Sequence, residues 1–191
     1  MSRPLFVAVA ASLLLAGCAT TAPKNDYVRF TQEFRDNEGF TSEHLNKLQF
    51  YVCPELVIER ELTTTETGIS SGRLIRKQGR TVNQVVIPKW TPGLVVRSNE
   101  NYVAVSFEEG TALAFGVEKG KYTGDYAPLG KNAEKGFEVL YDGNWYYMID
   151  PEKQDQDCQG QQYPEARLWI DTDSLNNVIT ERKVLKGRTL E

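Results

Sequence analysis

Apolar and polar residues alternate along most of the chain, which is typical of β-strands with one buried face. The clearest example is residues 137–149, where Asp142-Gly143 separates two apolar runs. An Asp-Gly pair favours a tight two-residue turn because glycine readily adopts positive φ. The pattern therefore predicts a hairpin that pairs Leu140 with Trp145.

Similar patterns predict most of the other strands. They fall at residues 48–52, 56–62, 69–76, 82–87, 103–107, 113–117, 166–171 and 178–185. Residues 118–135 and 150–165 are polar or rich in glycine, and both are predicted to be long loops. Residues 172–177 are predicted to join the last two strands.

Two short helices are predicted before the first strand. In the first helix, aromatic side chains recur at spacings of three and four, at Tyr27, Phe30 and Phe34. Asn25 or Asp26 would cap this helix, and Gly39 would end it. The second helix would begin at Thr41 or Ser42.

These elements predict a mainly β fold over residues 26–191. About ten short strands follow one or two N-terminal helices, and frequent turns separate the strands. Strands and helices do not alternate regularly, which argues against a parallel sheet. We expect a single antiparallel sandwich or a partly open barrel.

The first 18 residues have a composition different from the rest of the chain. Arg3 precedes an apolar run from Leu5 to Leu15, which is too short to span a bilayer as a helix. The run ends in Leu15-Ala16-Gly17-Cys18, which resembles the lipobox of bacterial lipoproteins.

The resemblance implies a signal peptide over residues 1–17 and acyl chains on Cys18, which would anchor the protein to a membrane. Residues 18–25 would be a short tether that reaches at most about 25 Å. Ala19 follows the cysteine, and in lipoproteins of bacteria with two membranes this resembles the default for outer-membrane sorting. The domain would then lie in the periplasm.

The charge balance argues against two kinds of partner. The 191 residues include 22 basic and 26 acidic side chains, a net charge of −4. A mildly acidic chain without a cluster of lysine and arginine argues against nucleic acid as a partner. It also argues against electrostatic docking on anionic lipid, so the lipid on Cys18 would provide the anchor.

Cysteine usage suggests a disulfide. With Cys18 acylated, Cys53 and Cys158 remain, and an exported protein is in an oxidising compartment. We predict a bond between them; two buried or separated thiols are the alternative. One histidine and two distant cysteines match no zinc spacing.

The sequence contains no recognisable catalytic motif and no cofactor motif, so no cofactor is expected. His44 is interpreted as a helix-surface residue. Glu59 and Glu61 would share one strand face, where a solvated face is a simpler interpretation than paired catalytic carboxylates. Asp171 and Asp173 faintly resemble a calcium loop but lack its central glycine and distal glutamate, and turn chemistry also explains them.

Aromatic residues are the remaining signal. Trp145, Tyr146 and Tyr147 are consecutive, so their side chains must point to both faces of a sheet. A recognition patch for protein or glycan could be formed by Tyr141, Trp145, Tyr147 and Trp169. The alternative is core packing beneath a covering loop.

Two functions are consistent with these features. The first is a non-enzymatic envelope lipoprotein that binds or assembles another envelope protein. The second is a small-ligand binding protein, or an enzyme acting on lipid, peptidoglycan or glycan, because sandwiches and barrels can enclose ligands. Because the sequence contains no recognisable set of catalytic residues, we favour the non-enzymatic envelope lipoprotein.

Overall fold

The computed structural model describes residues 26–63, 72–77, 79–117, 124–150 and 156–181. Within these ranges the chain forms fifteen β-strands and three helices. The strands are β1 (Tyr27–Arg29), β2 (Gln49–Cys53), β3 (Leu56–Glu61), β4 (Arg73–Lys77), β5 (Arg80–Ile87), β6 (Pro92–Ser98), β7 (Tyr102–Ser106), β8 (Leu113–Val117), β9 (Tyr126–Pro128), β10 (Gly130–Ala133), β11 (Gly136–Tyr141), β12 (Asn144–Ile149), β13 (Asp157–Cys158), β14 (Gln161–Gln162) and β15 (Arg167–Asp171). The helices are α1 (Gln32–Glu38), α2 (Ser42–Leu45) and α3 (Thr172–Glu181). The predicted signal and tether, including Cys18, lie outside the described residues.

The strands form two large antiparallel sheets. The first has seven strands in the order β1-β15-β2-β6-β7-β8-β9, and the second has six in the order β10-β11-β12-β3-β5-β4. Neither sheet closes on itself, so the fold is a β-sandwich. None of the helices in the described ranges has the length and hydropathy needed to cross a membrane.

One apolar core fills the space between the sheets. The seven-stranded sheet contributes Phe50 and Val105, and the six-stranded sheet contributes Ile58 and Val139, all without exposed surface. Burial of each such side chain contributes about 1.5–3 kcal/mol. The alternation in the sequence therefore reflects strands with one face turned to this core.

The hairpin of β11 and β12 confirms the register predicted from Asp142-Gly143. Leu140 lies opposite Trp145, and Val139 lies opposite Tyr146. Asp142 and Gly143 both have positive φ, at 46° and 71°. This is the backbone geometry that a tight turn between twisted strands requires.

The beginning of the domain differs from the prediction. Tyr27 lies in strand β1, which pairs with β15, and helix α1 begins only at Gln32. Thr31 is its N-cap, since the Thr31 hydroxyl accepts a bond from the Phe34 backbone N–H at 3.1 Å. The aromatic spacing was misleading because Phe30 packs against Phe50 from an extended segment. The predicted end at Gly39 and the second helix at residue 42 are confirmed.

The predicted final strand is wrong over residues 178–181, because residues 172–181 form helix α3, and its remainder, 182–185, lies outside the described residues. The Asp171 carboxylate accepts bonds from the backbone N–H groups of Asp173 at 2.7 Å and Ser174 at 3.4 Å. Leu175 and Val178, three positions apart, turn inward to the core. The polar residues interpreted as a turn are therefore a helix start.

The predicted loop over residues 118–135 is also wrong in its second half. Strands β9 and β10 occupy residues 126–133 and pair with β8 and β11. These strands are short, and glycine, proline and lysine hide their alternation. Strands β1, β6, β13 and β14 were not predicted either, and the last two lie within the predicted loop 150–165, so the described residues contain fifteen strands instead of about ten.

A second apolar cluster covers part of the outward side of the seven-stranded sheet. Cys53 and Cys158 form the predicted disulfide, with their Cα atoms 6.0 Å apart. Both sulfurs are buried beside Trp169 and Tyr163. The bond thereby fixes the small hairpin of β13 and β14 over β2 and β15.

Candidate recognition face

The four aromatic residues predicted as a recognition patch do not come together in the fold. Tyr141 faces the core and is 3% exposed, while Trp169 lies in the disulfide cluster and is 4% exposed. Trp145 and Tyr147 lie on the outward side of the six-stranded sheet. Only this second pair belongs to an accessible surface.

We call the outward side of the six-stranded sheet the outer face. Residues directly opposite in an antiparallel pair share a face, and the registers of β11, β12, β3 and β5 assign its apolar members. These members are Val57, Val82, Val86, Leu140, Trp145, Tyr147 and Ile149. Val86 is 43% exposed, Leu140 is 49% exposed and Trp145 is 42% exposed. Large apolar side chains are therefore presented to solvent on β5, β11 and β12.

A row of polar side chains crosses the same face. In order across five strands, the opposed residues are Lys131, Glu138, Tyr147, Glu59 and Gln84. Lys131 pairs with Glu138 at 3.4 Å, and Gln84 donates to Glu59 at 2.7 Å. Most charges of the row are thus balanced by neighbours within the sheet.

The expectation of a solvated strand face is wrong for Glu59. This residue is only 7% exposed, and Lys77 Nζ contacts its two carboxylate oxygens at 2.6 and 2.9 Å. Glu61 accepts separately from Arg80 at 3.1 Å. Each carboxylate has its own cation, which ties β3 to the β4–β5 hairpin.

An open depression of about 510 Å³ lies beside the polar row. Glu61 and Arg80 line it on the side of the β4–β5 hairpin, and Tyr147 and Ile149 line it on β12. Its mixed walls allow contact with both apolar and charged groups. The polar row separates the exposed Val86, which lies on the side of Val57 and Ile149, from Leu140 and Trp145 on its other side.

The rings on this face are held by charged neighbours. Lys131 Nζ lies 3.9 Å from the centre of the Trp145 ring, a cation–π contact that fixes the indole. A hydrogen bond to Glu138 is the main cause that raises the pKa of Tyr147, and burial adds to it. Tyr147 therefore stays a neutral hydroxyl at physiological pH.

The other predicted chemical residues have structural roles. The Asp171 carboxylate caps α3, while Asp173 contributes its backbone N–H to that cap. His44 belongs to the capping box of α2, where its Nδ1 accepts from the Thr41 backbone N–H at 3.3 Å. Among the described residues, no group of three or more histidine, cysteine or acidic side chains is placed to hold a metal ion.

Two apolar residues of the outer face were missed by the sequence analysis. Val86 lies in the run Val85-Val86-Ile87, and Leu140 lies in Val139-Leu140-Tyr141. In each run three consecutive apolar residues occupy one strand, so the middle one must face away from the core. That signal was present in the sequence, and both middle residues are exposed.

Comparisons with protein-family models, with curated proteins and with solved structures found no match to this chain.

Proposed function

We propose that this chain is a lipid-anchored lipoprotein of the bacterial envelope that binds another envelope protein without catalysing a reaction. The lipobox-like sequence Leu15-Ala16-Gly17-Cys18 supports a lipid anchor on Cys18. The alanine at position 19 supports sorting of the protein to the outer membrane. The predicted tether keeps the sandwich near the bilayer. The outer face supports the binding role.

The exposure of Val86, Leu140 and Trp145 on one face carries the proposal. Apolar side chains exposed on the same face favour association because contact removes them from water. Tryptophan contributes strongly to protein interfaces, since it buries a large area at a small cost in side-chain entropy.

The charges around these side chains favour a protein partner over a small ligand. Glu59 and Glu138 are already paired with lysines. They suit the polar surround of an interface, where charged groups contribute mainly to orientation and specificity. Val86, Leu140 and Trp145 also lie outside the depression on this face, so the exposed apolar area extends beyond what a small ligand held in that depression would cover.

Site-specific photocrosslinking in intact cells tests the role of the outer face. A photoreactive residue in place of Leu140 is expected to give one adduct of defined mass. Leu94 provides a matched control, because it is a 55% exposed leucine on the other sheet. The same probe at Leu94 should give no corresponding adduct.

A second substitution shows whether the adduct reports specific binding. With the probe at Leu140, Trp145→Ala is expected to lower the crosslinking yield about tenfold, the effect of a moderate interface residue. The fold of the variant is checked by circular dichroism. Equal yields at Leu140 and Leu94, or an adduct insensitive to Trp145→Ala, would contradict the proposed binding face.

A further inference from the structure

A polar groove lies between α1 and the loop that joins β6 to β7, away from the outer face. It consists of two adjoining cavities of about 940 and 510 Å³. Both cavities are lined by Arg35, Phe40, Glu100 and Asn101. We call this feature the Arg35 groove. Its size is in the range of sites that hold small organic ligands.

Arg35 is an unusual residue for such a position. It is only 7% exposed, and its Nη1 donates to the Tyr126 hydroxyl at 2.9 Å. Within the described ranges, no carboxylate forms an ion pair with its guanidinium. A buried charge is costly unless it is paired and hydrogen-bonded. An anion that entered the groove would therefore supply the ion pair that the guanidinium lacks.

The neighbours of Arg35 hold the guanidinium in place without neutralising it. The Tyr126 hydroxyl donates to Gln32 Oε1 at 2.5 Å, and Gln32 Nε2 donates to Asp36 Oδ1 at 2.8 Å. Burial, the largest effect, raises the pKa of Tyr126, so the phenol remains neutral. Arginine has five N–H donors in a planar fork, and the Tyr126 bond occupies one of them.

The walls of the groove add two further kinds of contact. Asp36 and Glu100 also line the groove, where they place negative charge without forming an ion pair with Arg35. Phe40, Val117 and Leu129 provide apolar surface. Two carboxylates would repel a doubly charged phosphate, but they suit a ligand that carries both a carboxylate and an ammonium group.

We propose that the Arg35 groove binds an amino acid or a short peptide in its zwitterionic form. The ligand carboxylate binds the Arg35 guanidinium, which matches carboxylate geometry in a fork-to-fork arrangement. The ligand ammonium faces Asp36 and Glu100, and apolar side chains rest on Phe40. This site is separate from the outer face and does not depend on the proposed protein partner.

Titration calorimetry of the full mature protein in detergent, with four probes, tests the chemistry. The probes are trialanine, trialanine amide, N-acetyl-trialanine and free alanine. Trialanine is expected to bind, and amidation should weaken binding by at least about tenfold, because it removes a charge-assisted pair. Acetylation removes the charge of the ligand ammonium and should weaken binding about threefold. The effect is smaller than that of amidation because Glu100 is exposed, and an exposed ion pair contributes less than one at the buried Arg35.

Variants assign the two ends of the ligand. Arg35→Gln keeps a donor for Tyr126, and it should remove the difference between trialanine and its amide. Glu100→Gln should reduce the effect of acetylation, with the remainder due to Asp36. Glu109→Gln is the matched control, because Glu109 is an exposed glutamate at the opposite end of β7. It should behave like the unmodified protein.

The relative affinities of the probes distinguish a site for peptide ends from a site for free amino acids. Tighter binding of trialanine than of alanine assigns the site to peptide ends, and the reverse assigns it to free amino acids. No binding of any probe at millimolar concentration, or equal binding of trialanine and its amide, would overturn the proposal. If Arg35→Gln fails to fold, the four probes and Glu100→Gln still decide it.

Discussion

Replacing Cys53 and Cys158 together by alanine is expected to lower the free energy of unfolding by up to about 4.7 kcal/mol. The disulfide joins positions 105 residues apart. A covalent link across such a long loop greatly restricts the unfolded chain. Urea unfolding of the oxidised protein and of the double variant measures the difference.

The same disulfide organises the cluster around Trp169. Its loss frees the β13–β14 hairpin from β2, so Trp169 should become accessible to a fluorescence quencher before the core unfolds. Reduction of the unmodified protein serves as the control, and it should reproduce the stability of the double variant. Unfolding at an unchanged urea concentration after reduction would show that the bond does not stabilise this domain.

The substitution Asp125→Ala is expected to destabilise the fold by about 3 kcal/mol. Asp125 is 2% exposed and lies 3.7 Å from Arg167 and 3.3 Å from Arg29. Burial, the largest effect, raises the pKa of Asp125, while the two arginines lower it. Removal of this carboxylate leaves the fully buried Arg167 with less compensation, and urea unfolding at neutral pH measures the loss.

Glu165 provides a matched control for this prediction. It also contacts Arg167, at 3.5 Å, but its side chain is 46% exposed. Glu165→Ala should therefore cost less than about 1 kcal/mol, as expected for a solvent-exposed pair. Equal losses from Asp125→Ala and Glu165→Ala would mean that burial does not determine the strength of this cluster.

Local patterns were sufficient to predict the parts of the fold that depend on neighbouring residues. Asp142-Gly143 sets both the turn and the register of β11 and β12, because a two-residue turn leaves only one pairing. The disulfide between Cys53 and Cys158 followed from cysteine arithmetic. Short alternating strands predicted either an antiparallel sandwich or a partly open barrel, and the two open sheets identify the sandwich.

Elements whose conformation depends on distant partners were not predicted. Tyr27 belongs to a strand because β15, more than a hundred residues later, offers an edge. Asp171 starts a helix although the same residues suit a turn, since Leu175 and Val178 find space in the core. Local propensity is weak compared with such packing.

The residues of the candidate sites were also difficult to predict, because their burial depends on partners that are distant in the sequence. Glu59 is buried because Lys77 reaches it from a neighbouring hairpin. Arg35 is buried because Tyr126 lies opposite on β9. Neither contact has a sequence signature, because the partners are 18 and 91 positions apart. The sequence could indicate aromatic residues of interest, but only the fold separates Trp145 on the surface from Trp169 in a cluster.

Mass spectrometry of the N-terminal peptide of the mature protein, purified from membranes, tests the central proposal of a lipid anchor. The proposal predicts that this peptide begins at Cys18 and carries acyl chains, and that Cys18→Ala yields protein that is not retained by membranes. A mature protein that begins elsewhere, without fatty acid, and that washes from membranes in buffer would contradict it.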